Sequence, residues 1–390
     1  MKVLYIIGGS GKKYGSEVVA MSVLKELSLT NGVDFTVVTS KNGCVNELCR
    51  QLGIENYVIG MRFYVYYRGK NSLISAGKRI FRNVQADYAT AYALKKLEKL
   101  VQLDSYDLIH TNLSRDLLGG VIKEKYNIPH IWHLQELYNG HYGLELLKKN
   151  QVAWMNKRAD AYIAISRHVA KGWIEHGLEK NKVNVILNGI DWSGIQEKDW
   201  TKKRDLIKII MVGELCEAKG QIYLIEAINK ILKSDSGRVR YKIDFYGGGK
   251  EKYLDFIRKK IDEYKLKDCV DLKGHCGDIQ KVLSNYDIAV NCSRGEGFGL
   301  ATVEFMAAGL CVLAADTGAN TEIIEDRING IIFKYANAVE ELSRMIYELS
   351  VMNDVMMKLG VRAREDVQKK YSLKEMCEQV FQLYSEGMFL

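Results

Sequence analysis

Glu296 and Glu304 stand eight positions apart in "EGFGLATVE", with a glycine-aromatic-glycine step and a small apolar run between them. Carboxylates set around so little side-chain bulk suit the hydroxyls of a sugar. Being like charges, they cannot both hold a phosphate. The preceding "DIAVNC" (287–292) reads as a strand and the glycine loop as a turn, and a helix is expected to begin near Leu300. Glu304 then lies one turn into that helix, on the side facing back to the loop.

Three other strand-to-helix turns share this design. "VGELCEAKGQ" (212–221) puts Lys219 at a helix start, where its ammonium and nearby amides could hold a phosphate. "YGGGKEKY" (246–253) has three consecutive glycines, so Gly247 and Gly248 allow close approach of a ligand or of a neighbouring loop. "GGSGKKYGSE" (8–17) contains Gly8, Gly9 and Gly15. Its Gly9, Gly11 and Gly15 are spaced one residue too far for a dinucleotide fingerprint, and Ile6 and Lys13 break the P-loop pattern. A dehydrogenase is the least favoured reading.

The elements that position these turns alternate along the chain. Strands are expected at 2–8, 34–39, 106–111, 129–134, 161–166 and 182–187, then at 207–213, 241–247, 269–274, 287–292, 311–315 and 330–333. Helix-length amphipathic stretches such as 16–30, 218–232 and 251–265 lie between them. Near-continuous apolar strands alternating with helices predict an α/β fold of parallel sheets covered on both faces. The alternation breaks once, in the polar stretch 188–205, and then restarts with a unit like the first. Two Rossmann-like, doubly wound domains are expected, 1–190 and 191–372, and the amphipathic stretch 373–390 is expected to pack back on the first.

At 390 residues, 47 % apolar and 27 % charged, the chain has the composition of a soluble two-domain protein. No segment reaches the roughly 20 apolar residues of a membrane span. The opening apolar run is too short for a signal peptide, so it is read as a buried first strand. Eight scattered cysteines with no C-x-x-C pair argue for reduced thiols and a cytoplasmic location. The seven histidines never fall at H-E-x-x-H spacing, and in "HIWH" a strand puts His130 and His133 on opposite faces. No structural metal site is expected. The net charge of +8 is modest, but residues 56–86 contain no acid. That window carries Arg62, Arg68, Lys70, Lys78, Arg79 and Arg82 among Tyr57, Phe63, Tyr64, Tyr66, Tyr67 and Phe81. Such a mixture suits an anionic surface, here read as a membrane, or else a loop and helix whose aromatics face the core.

With these motifs in hand, the Glu296–Glu304 stretch, followed by "FMAAG" and a strand, resembles the E-x7-E signature of retaining glycosyltransferases of family 4, enzymes of the two-domain GT-B fold. "YDLIH", "IPHIWH", "AYIAIS", "VILNGID", "VGEL…KG", "YDIAVNCSRGEGFG" and "TGANTEII" resemble family positions in family order, covering nearly the whole chain. The resemblance implies a nucleotide-sugar, with UDP as the expected carrier, in the C-terminal domain and the acceptor in the N-terminal one. It implies that Glu304 binds the ribose, Glu296 the transferred sugar and Lys219 the pyrophosphate. His133 would sit in the cleft near the sugar and the attacking hydroxyl. Amides around Phe298, Gly299 and Leu300 would hold phosphate or sugar. On the acceptor side, Gly8, Gly9, Gly15 and Arg62 are expected to line the cleft. Glu214 stands where the family has a basic or small residue, and Leu310-Cys311 lacks the family's proline, Pro129 being the only one in the chain.

The expectation is a cytoplasmic retaining hexosyltransferase that works without metal or other cofactor and does not bind nucleic acid. It would pass a sugar to a glycan or lipid-linked acceptor in cell-surface polysaccharide synthesis, peripherally docked through residues 56–86. Rival readings are a same-fold epimerase or sucrose-type synthase, and a catalytically silent glycan- or protein-binding partner.

Overall fold

Lys2–Ile7 (β1) is apolar at its last five positions, and all five are buried. A strand with no polar face must be covered on both sides, which is the condition of a parallel sheet between helix layers. The computed structural model describes residues 1–9, 15–30, 32–67, 72–138, 144–202, 206–234 and 240–387. They divide into two units, Met1–Gly189 with Leu373–Leu390, and Ile190–Ser372.

In the first unit β1 is followed by β2 (Asp34–Thr39), β3 (Glu55–Val58), β4 (Val65–Tyr67), β5 (Leu108–Asn112), β6 (His130–Leu134), β7 (Leu144–Leu146), β8 (Ala161–Ala164) and β9 (Val183–Val185). The helices are α1 (Gly15–Thr30), α2 (Cys44–Leu52), α3 (Ser72–Leu97), α4 (Leu118–Tyr126), α5 (Gln151–Asn156) and α6 (Arg167–Glu175). Among the described residues β3-β2-β1-β5-β6-β8-β9 form one parallel sheet, and β4 pairs antiparallel with β7. Neither β3 nor the β4–β7 pair follows from the sequence pattern. The first is a half-exposed edge strand, and the other two are three residues long and distant in the chain. The C-terminal helix Leu373–Gly387 belongs to this unit. The Gly189 amide donates to the Met376 sulfur at 3.2 Å, and buried Tyr384 shares a hydrogen bond with His110.

The second unit holds β10 (Ile207–Val212), β11 (Tyr241–Tyr246), β12 (Val270–Gly274), β13 (Ile288–Asn291), β14 (Cys311–Ala315) and β15 (Ile331–Phe333). Its helices are α7 (Gln221–Ser234), α8 (Glu251–Glu263), α9 (Gln280–Leu283), α10 (Leu300–Ala307), α11 (Asn320–Ile323), α12 (Ala338–Val351) and α13 (Asn353–Lys370). The strand order is β12-β11-β10-β13-β14-β15, all parallel. Part of the stretch read as a polar linker is packed on this unit. Lys198 pairs with buried Asp287 at 2.9 Å, and the Trp200 indole donates to the Gly309 carbonyl at 3.1 Å. Long polar side chains with apolar bodies can cover a surface in this way, which composition alone does not reveal.

Three histidines lie inside the first sheet. His130 bonds the Arg158 carbonyl through Nδ1 at 2.7 Å and Thr111 through Nε2 at 2.8 Å. A carbonyl only accepts, so Nδ1 carries the proton and Nε2 accepts from the threonine hydroxyl. On the opposite face His133 stacks on His110, with centroids 5.3 Å apart, and His110 stacks on Tyr5 at 4.2 Å. Burial pushes His130 down to about 4 and His133 to about 3, and holds His110 well below its ordinary value. Below the unfolded value of 6.5 the unfolded chain therefore takes up protons that the folded chain does not. This part of the stability is complete above 6.5 and falls as pH drops towards 3, by up to about 1.4 kcal/mol per pH unit for each histidine. Urea unfolding from pH 7 to pH 4.5 should show that decline, and a His133→Gln variant should show a shallower one. Equal slopes for the two proteins would remove His133 from the account.

Candidate active site

The order of the second sheet reverses between β10 and β13: the chain runs outward to β12, returns, and runs outward again to β15. Loops leaving the carboxyl ends of two such adjacent strands diverge and open a crevice, where ligands bind in open α/β sheets. Lys219 follows β10 and Glu296 follows β13, so both flank this reversal. Lys219 Nζ meets Glu296 Oε2 at 2.9 Å, both side chains being largely enclosed. The loops are also tied through the backbone, since the Arg294 amide donates to the Ala218 carbonyl at 2.8 Å. Lys219 ends a short 3-10 turn, Glu217–Lys219, and the α-helix proper begins only at Gln221.

The loop after β14 backs Glu296. The Ala319 amide donates to the Glu296 carbonyl at 2.9 Å, and the Thr317 hydroxyl to the Ser293 carbonyl at 2.6 Å. Gly318, at φ 59°, lies so close that a Cβ there would be 2.1 Å from the Glu296 carbonyl oxygen. Helix α10 starts at Leu300 as expected, after Gly299 at φ 97°. Its first-turn amides have no partner within the helix and face the loop end. Phe298 is buried, its ring edge-on to Tyr371 at 5.7 Å, so its side chain anchors the loop and only its backbone is open to contact. Glu304 is the one charged residue of α10, and its Oε1 accepts from the Gln280 amide at 3.1 Å.

The close approach at the triple glycine is made by the protein itself. A Cβ on Gly247, at φ 138°, would lie 1.8 Å from the Gly213 carbonyl oxygen, and the Leu215 amide donates to the Gly248 carbonyl at 2.8 Å. At Gly247 the neighbouring loop makes one of the two close approaches expected of this turn. Gly248 has open space where its Cβ would be. Glu214 is half-buried, with its carbonyl accepting from the Gln221 side chain at 3.1 Å.

In the first unit the order reverses between β1 and β5, and the turn carrying Gly8 and Gly9 leaves β1 there. A Cβ on Gly8 would lie 2.5 Å from Asp116 Oδ2, and one on Gly9 would lie 2.4 Å from Glu17 Oε1. Burial pushes Asp116 up to about 6. Two carboxyl groups against this turn suit hydroxyls and disfavour phosphate. Residues 10–14 lie outside the described residues, and exposed Gly15 opens α1. Arg62 is exposed and donates to the Gln85 side chain of α3 at 2.9 Å. His133 lies at the carboxyl end of β6, 1 % exposed, and its Nδ1 has no hydrogen-bond partner among the described residues.

The basic-aromatic window divides. Tyr64 and Tyr66 are buried, Phe63 packs against the Gly8 turn, and Arg79 stacks over Tyr66, so these side chains serve packing. Phe81 points outward, while Arg68 and Lys70 lie outside the described residues. The sequence reading missed Gln280, Thr317 and the buried trio Asn291, Thr302 and Asn320, in which the Asn291 amide donates to Thr302 at 2.9 Å and the Thr302 hydroxyl to Asn320 at 3.2 Å. Isolated polar residues in apolar runs carry no periodic signal. Among the described residues no group of three or more His, Cys, Asp or Glu could hold a metal ion, and no helix is long and apolar enough to cross a membrane.

Residues 194–366 match the family Glycosyl transferases group 1, and residues 14–193 match Glycosyltransferase Family 4. An uncharacterised glycosyltransferase of Methanocaldococcus jannaschii is 26 % identical over 88 % of this chain and 93 % of its own length. The UDP-Gal:alpha-D-GlcNAc-diphosphoundecaprenol alpha-1,3-galactosyltransferase of Escherichia coli is 24 % identical over 62 % of this chain and 66 % of its own. The crystal structure of Anabaena HepE in complex with UDP and glucose superposes with a TM-score of 0.79 at 21 % identity, covering 99 % of both chains. That likeness establishes the GT-B type of fold. The two matches follow one another along the chain, and the protein is a glycosyltransferase.

Proposed function

We propose that the protein is a retaining hexosyltransferase that moves a sugar from a UDP-sugar to a hydroxyl of a glycan or lipid-linked acceptor in cell-surface polysaccharide or glycoconjugate synthesis. The observation that carries this reading is the Lys219–Glu296 pair at the reversal of the second sheet, beside the N-terminus of α10. A cation and unpaired helix amides provide for a diphosphate, while Glu296 and Glu304 provide for the hydroxyls of sugar and ribose. The UDP in the Anabaena structure and the diphosphoundecaprenol-linked acceptor in the Escherichia coli enzyme's name agree with such substrates.

In this reading Glu304, held by Gln280, takes the ribose hydroxyls, and Lys219 takes the pyrophosphate. Amides at Phe298, Gly299 and Leu300 complete the cradle, with Gly248 open beside it. A carboxylate already engaged by an ammonium is a poor nucleophile, so Glu296 orients the sugar instead of attacking it. The anomeric carbon exchanges its phosphate oxygen for the acceptor oxygen on one face, and the departing phosphate accepts the acceptor's proton. Lys219 and the α10 amides stabilise the charge that develops on the diphosphate. His133 stays neutral near pH 7 and serves as a hydrogen-bonding partner of the sugar. The first unit takes the acceptor at Gly8, Gly9 and Gly15, with Arg62 nearby. No metal is required, and the enzyme works on the cytoplasmic side of a membrane, docked through the exposed part of the basic-aromatic region.

Calorimetry with UDP tests the donor site. Glu304→Ala should weaken binding about tenfold to a hundredfold, the range of a hydrogen bond to a charged group, and Glu304→Gln should retain part of it. Wild-type affinity in the alanine variant would refute the ribose role. After a panel of UDP-sugars has identified the donor, Lys219→Ala should lower turnover by about 10² to 10³, and Lys219→Arg by less, with or without a chelator. Turnover within about threefold of wild type would leave Lys219 merely a helix-start residue.

A further inference from the structure

Helix α3 carries an apolar stripe where a surface helix is normally polar. Ile80, Phe81, Val84, Tyr88 and Tyr92 are 68, 63, 61, 75 and 55 % exposed. At 3.6 residues per turn they share an arc of about 120° and run for about 18 Å along the helix. The stripe is not a loosened core face. Ala86, Thr90, Ala93, Leu94 and Leu97 are the buried positions. The inward face is pinned by Arg79, which donates to the Leu147 carbonyl at 2.8 Å, and by Tyr64, which donates to Asp87 at 2.9 Å.

Charge identifies what covers the stripe. Exposed Lys78 and Arg82 border it at one end and exposed Lys95 at the other; no carboxylate pairs with Lys78 or Arg82 among the described residues, and Glu98 beside Lys95 is held by Lys125 at 2.6 Å. Asp87, the first acid after residue 56, is ion-paired with Lys148 at 2.6 Å. Two copies of such a helix would bring like charges together in either orientation, because both ends are basic. An anionic lipid surface offers headgroups to the cations and an acyl boundary to the stripe.

We infer that this face of α3 docks on an anionic lipid bilayer, with Phe81 and Tyr88 entering the interface and Lys78 and Arg82 resting on the headgroups. The surface thereby moves from the whole 56–86 region to the outward face at 78–92, since Tyr64 and Tyr66 are buried. The inference rests on the glycosyltransferase reading for its purpose, the presentation of a lipid-linked acceptor, and not for its physics.

The test is co-sedimentation of the full chain with vesicles of equimolar phosphatidylglycerol and phosphatidylcholine, and with phosphatidylcholine alone, across a salt series. Each cation at such a surface strengthens partitioning by about fivefold, so Lys78→Glu/Arg82→Glu should lower it at least about 25-fold. Phe81→Ser/Tyr88→Ser should lower it by at least tenfold, at both low and high salt. All four positions face outward, and UDP affinity measured on the same samples should not change. Equal sedimentation of the wild type with both vesicle types, or no loss in either variant, would overturn the inference. So would a wild-type dimer that the serine variant converts to monomer without any vesicle binding, which would assign the face to a second copy. Absence of UDP binding in the wild type would count against the donor site and leave the vesicle result standing.

Discussion

Strands buried on both faces leave a polypeptide one place for chemistry. β1 and β14 present almost nothing polar to either side, so helices must cover them and crossovers must return over the sheet. The few polar side chains within the strands are satisfied internally, as His130 is by Thr111, so groups open to a ligand gather at the ends of strands and the starts of helices. Within that boundary, only the reversal of strand order parts two neighbouring loops enough to admit a ligand. The reversals fall between β1 and β5 in one unit and between β10 and β13 in the other. Lys219 and Glu296 lie on the loops that leave the two strands flanking the second, β10 and β13.

The two reversals are furnished differently. The second has an ammonium, unpaired helix amides and two carboxylates held apart by separate partners, Lys219 for Glu296 and Gln280 for Glu304. That assortment provides for both phosphate and hydroxyl groups. The first has Glu17 and Asp116 pressed against its glycines, and a neutral histidine stack along β5 and β6. Such a surface repels diphosphate and accepts hydroxyls. The division of labour proposed above between a nucleotide and an acceptor domain is supported by these side chains as well as by family likeness.

Packing also reassigns residues that look alike in sequence. Arg79 and Arg82 are three positions apart in one basic window, yet Arg79 stacks on a buried tyrosine while Arg82 is exposed. Gly247 and Gly248 are adjacent, yet a Cβ would overlap the neighbouring loop at the first and meet open space at the second. A helical or turn phase of one residue decides between an internal contact and an external one.

The sequence by itself determined the alternation of strand and helix, the two-sheet α/β class, the helix start at Leu300 and the placing of Lys219, Glu296 and Glu304 beyond strand ends. Each of these is written in local periodicity or in glycine-flanked polar residues at strand ends. Only the tertiary structure decided that Lys219 meets Glu296, that Gln280 holds Glu304 and that Asn320 ties β13 to α10. It likewise decided that Lys198 and Trp200 of the polar stretch pack on the second unit and that the exposed stripe of α3 continues to Tyr92. These depend on which loops become neighbours when parallel strands line up, and neighbours 18 to 109 positions apart in the chain leave no trace in its local pattern.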